Sequence, residues 1–359
     1  MTFMRRLIGI FVATTAAAAV IAPATAPTAV AAPSRASISV YLADGKTPVG
    51  STLLHPGDKL VVKGRGFDPN ANTAGFPLPV PPGVPHGTFI AFGAFAPHWR
   101  PSAGAPESAR ATARSGVQWA MSRGALLRVP TAPFDFCRTI RQQWVPLRGD
   151  GTFTAALTLA TPKSIPANAR WGVYTYGAAG ADNAAHELRH PLRYSTAPGA
   201  NTPAPPARNL VWAYSPSFYR TVAGTTQGSV TGSDGASVDE AGRMSFELRD
   251  GTLRNGNGTL RFRGTVVAST RFHLCEVALV DPVLRVQNGR GVLSMRTSTT
   301  NMNGTDATRR IDIADVDLRG AGSDGKRGAR VTFRPGISPQ VLALLSNGPA
   351  APLDLRLAR

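Results

Sequence analysis

Alternation with a period of two dominates the hydrophobic pattern of this chain. In "GTFTAALTLA", Phe153, Ala155, Leu157 and Leu159 fall on one face, with Thr152, Thr154 and Thr158 opposite, as in a strand with one buried side. "ASISVYLA", "DKLVVKGRGF", "GTFIAFGAFA" and "ARWGVYTYGAAG" are further strand candidates, and "HPGD" and "RGDGT" mark turns. Short strands bounded by turn signals predict an immunoglobulin-like β-sandwich over residues 36–194. A segment near 98–136 reads as a long insertion between strands, with room for one helix.

The pattern stops at "STAPGANTPAPPAR" (195–208), a Pro-, Ala- and Thr-rich stretch that predicts a semi-extended linker. Beyond it, residues 209–359 alternate again. "RMSFELRDGTL" sets Met244, Phe246 and Leu248 against Arg243, Ser245, Glu247 and Arg249. "TLRFRGTVV" sets Leu260, Phe262, Gly264 and Val266 against Thr259, Arg261 and Arg263. "NGNG" and "QNGRG" are hairpin turns. With "LCEVALVDPVLRV", "GVLSMRTS", "RRIDIADVDLRG" and "ARVTFRPG", the second half is expected to be a β domain of about seven or eight strands. Two short helices complete it. One is "SPQVLALLSNG", with Pro339 in its first turn. The other lies in "WAYSPSFYRTVAG", where Ser215 fits an N-cap, Pro216 the first helical position and Gly224 the closing one.

Composition narrows the setting. "MTFMRR", then an apolar run, then "TAVAAP" predict a cleavable secretory leader over residues 1–32. No later apolar run approaches the roughly 20 residues needed to span a bilayer. The expected location is therefore the cell envelope or the medium. The formal charge is +18, with 34 Arg and only 5 Lys spread along the chain, and two of those charges, Arg5 and Arg6, leave with the leader. Such a chain is drawn to anionic partners, among them envelope polymers, and export argues against nucleic acid. Cys137 and Cys275 are the two cysteines. In an oxidising compartment they could pair, linking the two halves, or remain two buried thiols; both outcomes are open.

From Leu210 onward the chain resembles the HtaA-type haem-binding domain of actinobacterial envelope proteins. The resemblance is carried by "LVWAYSPSFYRTVAG", "LRFRGTVVASTRFHLCEVALVDPVLRV", "RRIDIADVDLRG" and "ISPQVLALLSNGPAAPLDL", in which Trp212, Ser217, Phe218, Phe262, Gly264, Val266 and Pro282 fall in place without gaps. "FIAFGAFAPHW", "DGTFTAALTLA" and "WGVYTYGAAGADNAAHE" similarly resemble the sandwich that accompanies such domains. The resemblance implies haem as ligand and haem-iron uptake as role, with a Tyr on the short helix on the iron and a His on the facing strand supporting it. Here those two positions are Thr221 and Arg271, while Tyr219 and His273 stand two residues away. The candidate haem residues are thus Phe218, Tyr219, Thr221, Arg271 and His273. Arg271 is suited to a propionate.

The alternative is an envelope domain of the same fold that binds partners or polymers and no haem. "HELRH" (186–190) matches the spacing of a zinc hydrolase helix, but Pro191 follows at once and no third ligand stands at a familiar spacing, so it reads as a loop. No catalytic motif is recognised, and neither an enzyme nor a metal site is expected.

Overall fold

The computed structural model describes residues 35–271 and 274–357; the leader and His273 lie outside the described residues. The protein is mainly β. The first half is a two-layer sandwich. One sheet has Lys59–Arg65 between Ser37–Leu42 and Phe153–Thr158. The other runs Trp144–Pro146, Arg110–Met121, Thr88–Phe95, Arg170–Gly177, Leu188–Pro191. Leu60, Val62, Phe153, Ala155 and Leu157 from the first sheet pack with Ile90, Phe92 and Val173 from the second. The alternation in "GTFTAALTLA" thus fills the core with its apolar face.

The segment at 98–136 differs from expectation. It contains the 12-residue strand Arg110–Met121, inserted between Thr88–Phe95 and Trp144–Pro146, and the short helix Arg123–Leu126; a second helix, Phe136–Arg141, begins at its end. The strand is hidden in sequence because its first residues are Arg, Ala, Thr and Ser. Its apolar end serves both faces: Ala120 joins the sandwich core, whereas Trp119 and Met121 pack outward against the two helices.

The second half is one curled sheet of twelve strands, more than expected from the pattern because several of them are only three to five residues long. Its long path begins with Gly325–Ala329, Leu353–Arg356, Leu210–Trp212, Met244–Arg254 and Asn257–Arg263. It continues through Glu276–Gln287, Arg290–Ser298 and Thr308–Asp317 to Val331–Phe333. Gly264 turns a corner of this sheet. The strand Glu276–Gln287 pairs with Asn257–Arg263 along one stretch and with Thr265–Ser269 along the other, and its register shifts between Val280 and Val283. At the corner Gly264 has φ 135°, and a Cβ there would strike the backbone of Ala236. The Asp281 amide donates to the Gly264 carbonyl at 2.9 Å, and the Gly264 amide donates to the Asp281 carboxylate at 3.2 Å. A side chain is excluded there by space and by backbone angle.

No strand pairing joins the two halves among the described residues. They meet through charge. Glu276, only 2% exposed, accepts from Arg138 at 3.2 Å and from Gln142 at 3.1 Å, with Arg114 at 3.7 Å. Arg138 also bonds Asp306 and the Asn303 carbonyl. Leu274 adds an apolar contact to the cluster around Phe136, Cys137 and Ile140. Its neighbour Cys275 packs instead against the core of the second half. Cys137 and Cys275 therefore occupy different cores, and both are free thiols rather than a bridge. Burial pushes both thiols above the usual range.

Candidate functional site

The short helix near residue 220 is built differently from its sequence signals. Phe218 and Tyr219 start a turn that widens into a π-helix, Arg220–Thr225. The Thr226 amide donates to the Thr221 carbonyl, a five-residue step, at 3.0 Å. Gly224 sits inside this helix, and the left-handed residue after its end is Gln227, with φ 50°. π-Turns are rare and frequently mark functional sites.

The helix closes one end of the second core. Trp212 and Phe218 are each 1% exposed and Val222 is buried; the Trp212 indole donates to the Ala351 carbonyl at 2.9 Å. Tyr214 stands between Trp212 and Phe218, with ring centres 5.0 and 5.1 Å away. Tyr219 is half-buried against the same core and lies over Gly242, which has φ 76° and no room for a Cβ beneath the ring. Thr221 is half-buried. Beyond the helix, the Arg271 amide donates to the Thr226 carbonyl at 3.1 Å and its guanidinium to Gln227 at 2.6 Å. The helix end and the strand-end loop are therefore one assembly.

A cleft of 780 Å³ opens beside that assembly. Gln227, Gly228, Ser229, Ser269, Thr270 and Arg271 line its second-half side. The opposite wall comes from the sandwich: Phe76, Leu78, Phe89, Trp119, Tyr176, Arg110 and Glu107 are among its residues. Of the sequence candidates, Arg271 lines the cleft, whereas Phe218, Tyr219 and Thr221 do not. The sandwich wall is an ordered aromatic surface. Phe89 meets Trp119 edge-on at 4.8 Å and Tyr176 at 5.6 Å. The Trp119 indole donates to the His86 carbonyl at 2.6 Å. Arg110 lies over the Tyr176 ring at 5.4 Å and is held by the Trp99 and Ala105 carbonyls at 3.0 and 3.2 Å. Burial pushes the Tyr176 phenol up to about 12, with nearby Arg110 pulling the other way. Phe76 and Leu78 remain exposed at 59% and 50%. A cleft of this size, mostly apolar with a few fixed polar groups, has the form of a small-ligand site. Sequence reasoning missed this wall because its residues lie on separate elements of the first half, each with an ordinary core-like pattern.

The "HELRH" residues serve the sandwich. His186 lies in a 3-10 turn, buried, with Nδ1 3.0 Å from the Thr88 hydroxyl and 3.2 Å from Asn72; burial lowers its pKa. Glu187 accepts from the Ser102 amide and hydroxyl at 2.7 and 2.6 Å. His190 lies on the strand Leu188–Pro191, so no helix face carries both histidines.

A second concavity, 1130 Å³, lies on the outer face of the large sheet. It is lined by Arg285, Arg290, Arg319, Arg330 and Arg334, with Asp315 and Asp317. Arg285 pairs with Asp312 at 2.8 Å, Arg319 with Asp317 at 2.6 Å and Arg334 with Asp315 at 2.9 Å. Arg290 and Arg330 make no ion pair among the described residues.

No curated protein matches the chain. Three solved structures from Corynebacterium glutamicum are similar to parts of it. The N-terminal domain of HtaA is 20% identical, covering 42% of this chain and 96% of its own, with a TM-score of 0.32. The C-terminal domain of HtaA is 17% identical, covering 40% and 90%, with a TM-score of 0.32. The haem-binding protein HtaB is 12% identical, covering 41% and 90%, with a TM-score of 0.30. The family model HtaA matches residues 207–335, the stretch that contains the π-helix, the Gly264 corner and Arg271. Over residues 207–335 this chain is thus similar to the HtaA family.

Proposed function

We propose that this chain is an exported envelope protein that captures haem, without chemical turnover, in the cleft between its HtaA-family domain and its sandwich. The observation that carries this reading is the placement of Arg271. It stands at the end of the helix–loop assembly of an HtaA-family stretch and faces an aromatic wall across a cleft of ligand size. The chemistry fits: a flat apolar macrocycle would bury ring surface against Phe76 and Phe89, and a cationic rim would receive carboxylates. In this reading residues 36–194 and 209–359 are two domains joined by 195–208, and the leader 1–32 is removed on export. Titration of the purified protein with ferric haem, followed by absorbance, is expected to show saturable one-to-one binding. A featureless, unsaturable titration would remove the reading.

The arginine-lined concavity supports a second reading, in which the same fold binds an anionic envelope polymer and no haem. Two of its five guanidinium groups, Arg290 and Arg330, make no ion pair among the described residues and would favour a polyanion. Haem titration separates the two readings, since this one expects no Soret shift.

A further inference from the structure

The haem reading leaves open which group holds the iron, and this inference rests on that reading. Among the described residues, no His, Cys or Met lines the cleft. Of the side chains that ordinarily ligate haem iron, His, Cys, Met and Tyr, the described residues of the lining offer one, Tyr176. Tyr219 lies outside the lining, its ring packed over Gly242. We propose that Tyr176, from the sandwich and not from the HtaA-family domain, is the residue that would hold the iron of ferric haem in this protein.

The surroundings of Tyr176 suit that role. Its ring rests on a fixed aromatic bed, with Phe89, Phe95 and Trp99 at 5.6, 6.0 and 6.4 Å. A ligand held this way loses little side-chain freedom on binding. Arg110 and Glu107 are the charged groups beside the phenol. When the Fe–O bond forms, the phenolic O–H breaks, its proton passes to solvent, and the iron stays ferric. Phenolate is thus created in a site that otherwise keeps the phenol neutral. Arg110, anchored by two carbonyls, supplies the positive charge that compensates it. Arg110 is therefore a positioning and charge-balancing residue, while Arg271 stands at the opposite side for a propionate.

The test uses the full mature chain loaded with ferric haem. Tyr176→Phe keeps the ring and its packing. It should abolish the phenolate-to-iron charge-transfer band and weaken haem binding by about tenfold or more. Tyr176→His should restore tight binding with an imidazole-ligated spectrum. Arg110→Gln should keep the phenolate band but shift its appearance to higher pH. If wild-type protein binds haem and Tyr176→Phe leaves its spectrum unchanged, the ligand assignment falls and the haem reading stands. If wild-type protein binds no haem, both fall. Circular dichroism of each variant reports whether the fold is kept.

Discussion

The two halves of the molecule contrast in what their aromatic residues do. On the HtaA-family side, Trp212, Tyr214 and Phe218 are almost fully buried, and their rings are spent on closing the core. On the sandwich side, Phe76 is exposed and Phe89 and Tyr176 are half-buried at the edge of the cleft, with the buried Trp119 behind them. The stretch that carries the family resemblance is thus largely architectural here, while the wall with ligand-like chemistry comes from residues outside the matched range 207–335. The family match covers one side of the cleft, whereas its lining is assembled from both halves of the chain.

The strongest way to break this comparison is to remove a helix ring. Phe218→Ala should destabilise the protein by about 3–5 kcal/mol, the usual loss for a buried Phe, measured by denaturant unfolding. A loss under about 1 kcal/mol would mean that the helix is not the plug described. The contact between the halves comes next. Arg138→Ala leaves the Glu276 carboxylate buried with a weaker partner set and should cost about 3 kcal/mol. Glu276→Gln with Arg138→Met should recover part of that loss.

A smaller effect is expected from restoring the two family positions. Arg271→His removes the propionate partner and should weaken haem binding by about tenfold, near 1.4 kcal/mol, whereas Thr221→Tyr, at a position outside the cleft lining, should leave the spectrum unchanged. If Thr221→Tyr alone replaces the wild-type spectrum entirely, the iron sits nearer the helix wall than Tyr176 implies. The smallest effect concerns His186, which reports on the sandwich alone. Its folded pKa is depressed by burial, so the native state favours the neutral ring. The stability this provides is complete above the unfolded value of about 6.5 and declines as pH falls below it. Wild-type melting temperature should therefore drop more between neutral pH and pH 5.5 than that of His186→Gln. Equal pH slopes would remove the assignment.

Much of the fold was legible because alternation is a local signal. Leu260, Phe262 and Val266 are buried while Arg261 and Arg263 are exposed, as the spacing in "TLRFRGTVV" requires. Gly264 was read as one more apolar-face position, yet it marks a corner set by backbone angle and by a close approach from a distant strand. The strand Arg110–Met121 was not legible because its buried apolar run is only the last three residues, Trp119, Ala120 and Met121, and its first half holds small and charged residues. The helix near 220 was placed correctly but ended too early, since Gly224 looks like a terminator and the extra residue of a π-turn leaves no mark in composition. The candidate site was least legible. Arg271 was reached through the family register, but Tyr176 and Arg110 meet it only through tertiary structure. Strand patterning gives Tyr176 no more prominence than Tyr174, which is buried in the same sheet.

Arg138 grips Glu276, Asp306 and the Asn303 carbonyl together, and for the proposed haem capture this bears on timing. With the walls already at their spacing, uptake should be one bimolecular step, its observed rate rising linearly with haem concentration and reaching no plateau. Departure would then be governed by rupture at the iron rather than by parting of the halves. A receiving protein would have to wait for spontaneous release or approach through the exposed rim at Phe76 and Leu78.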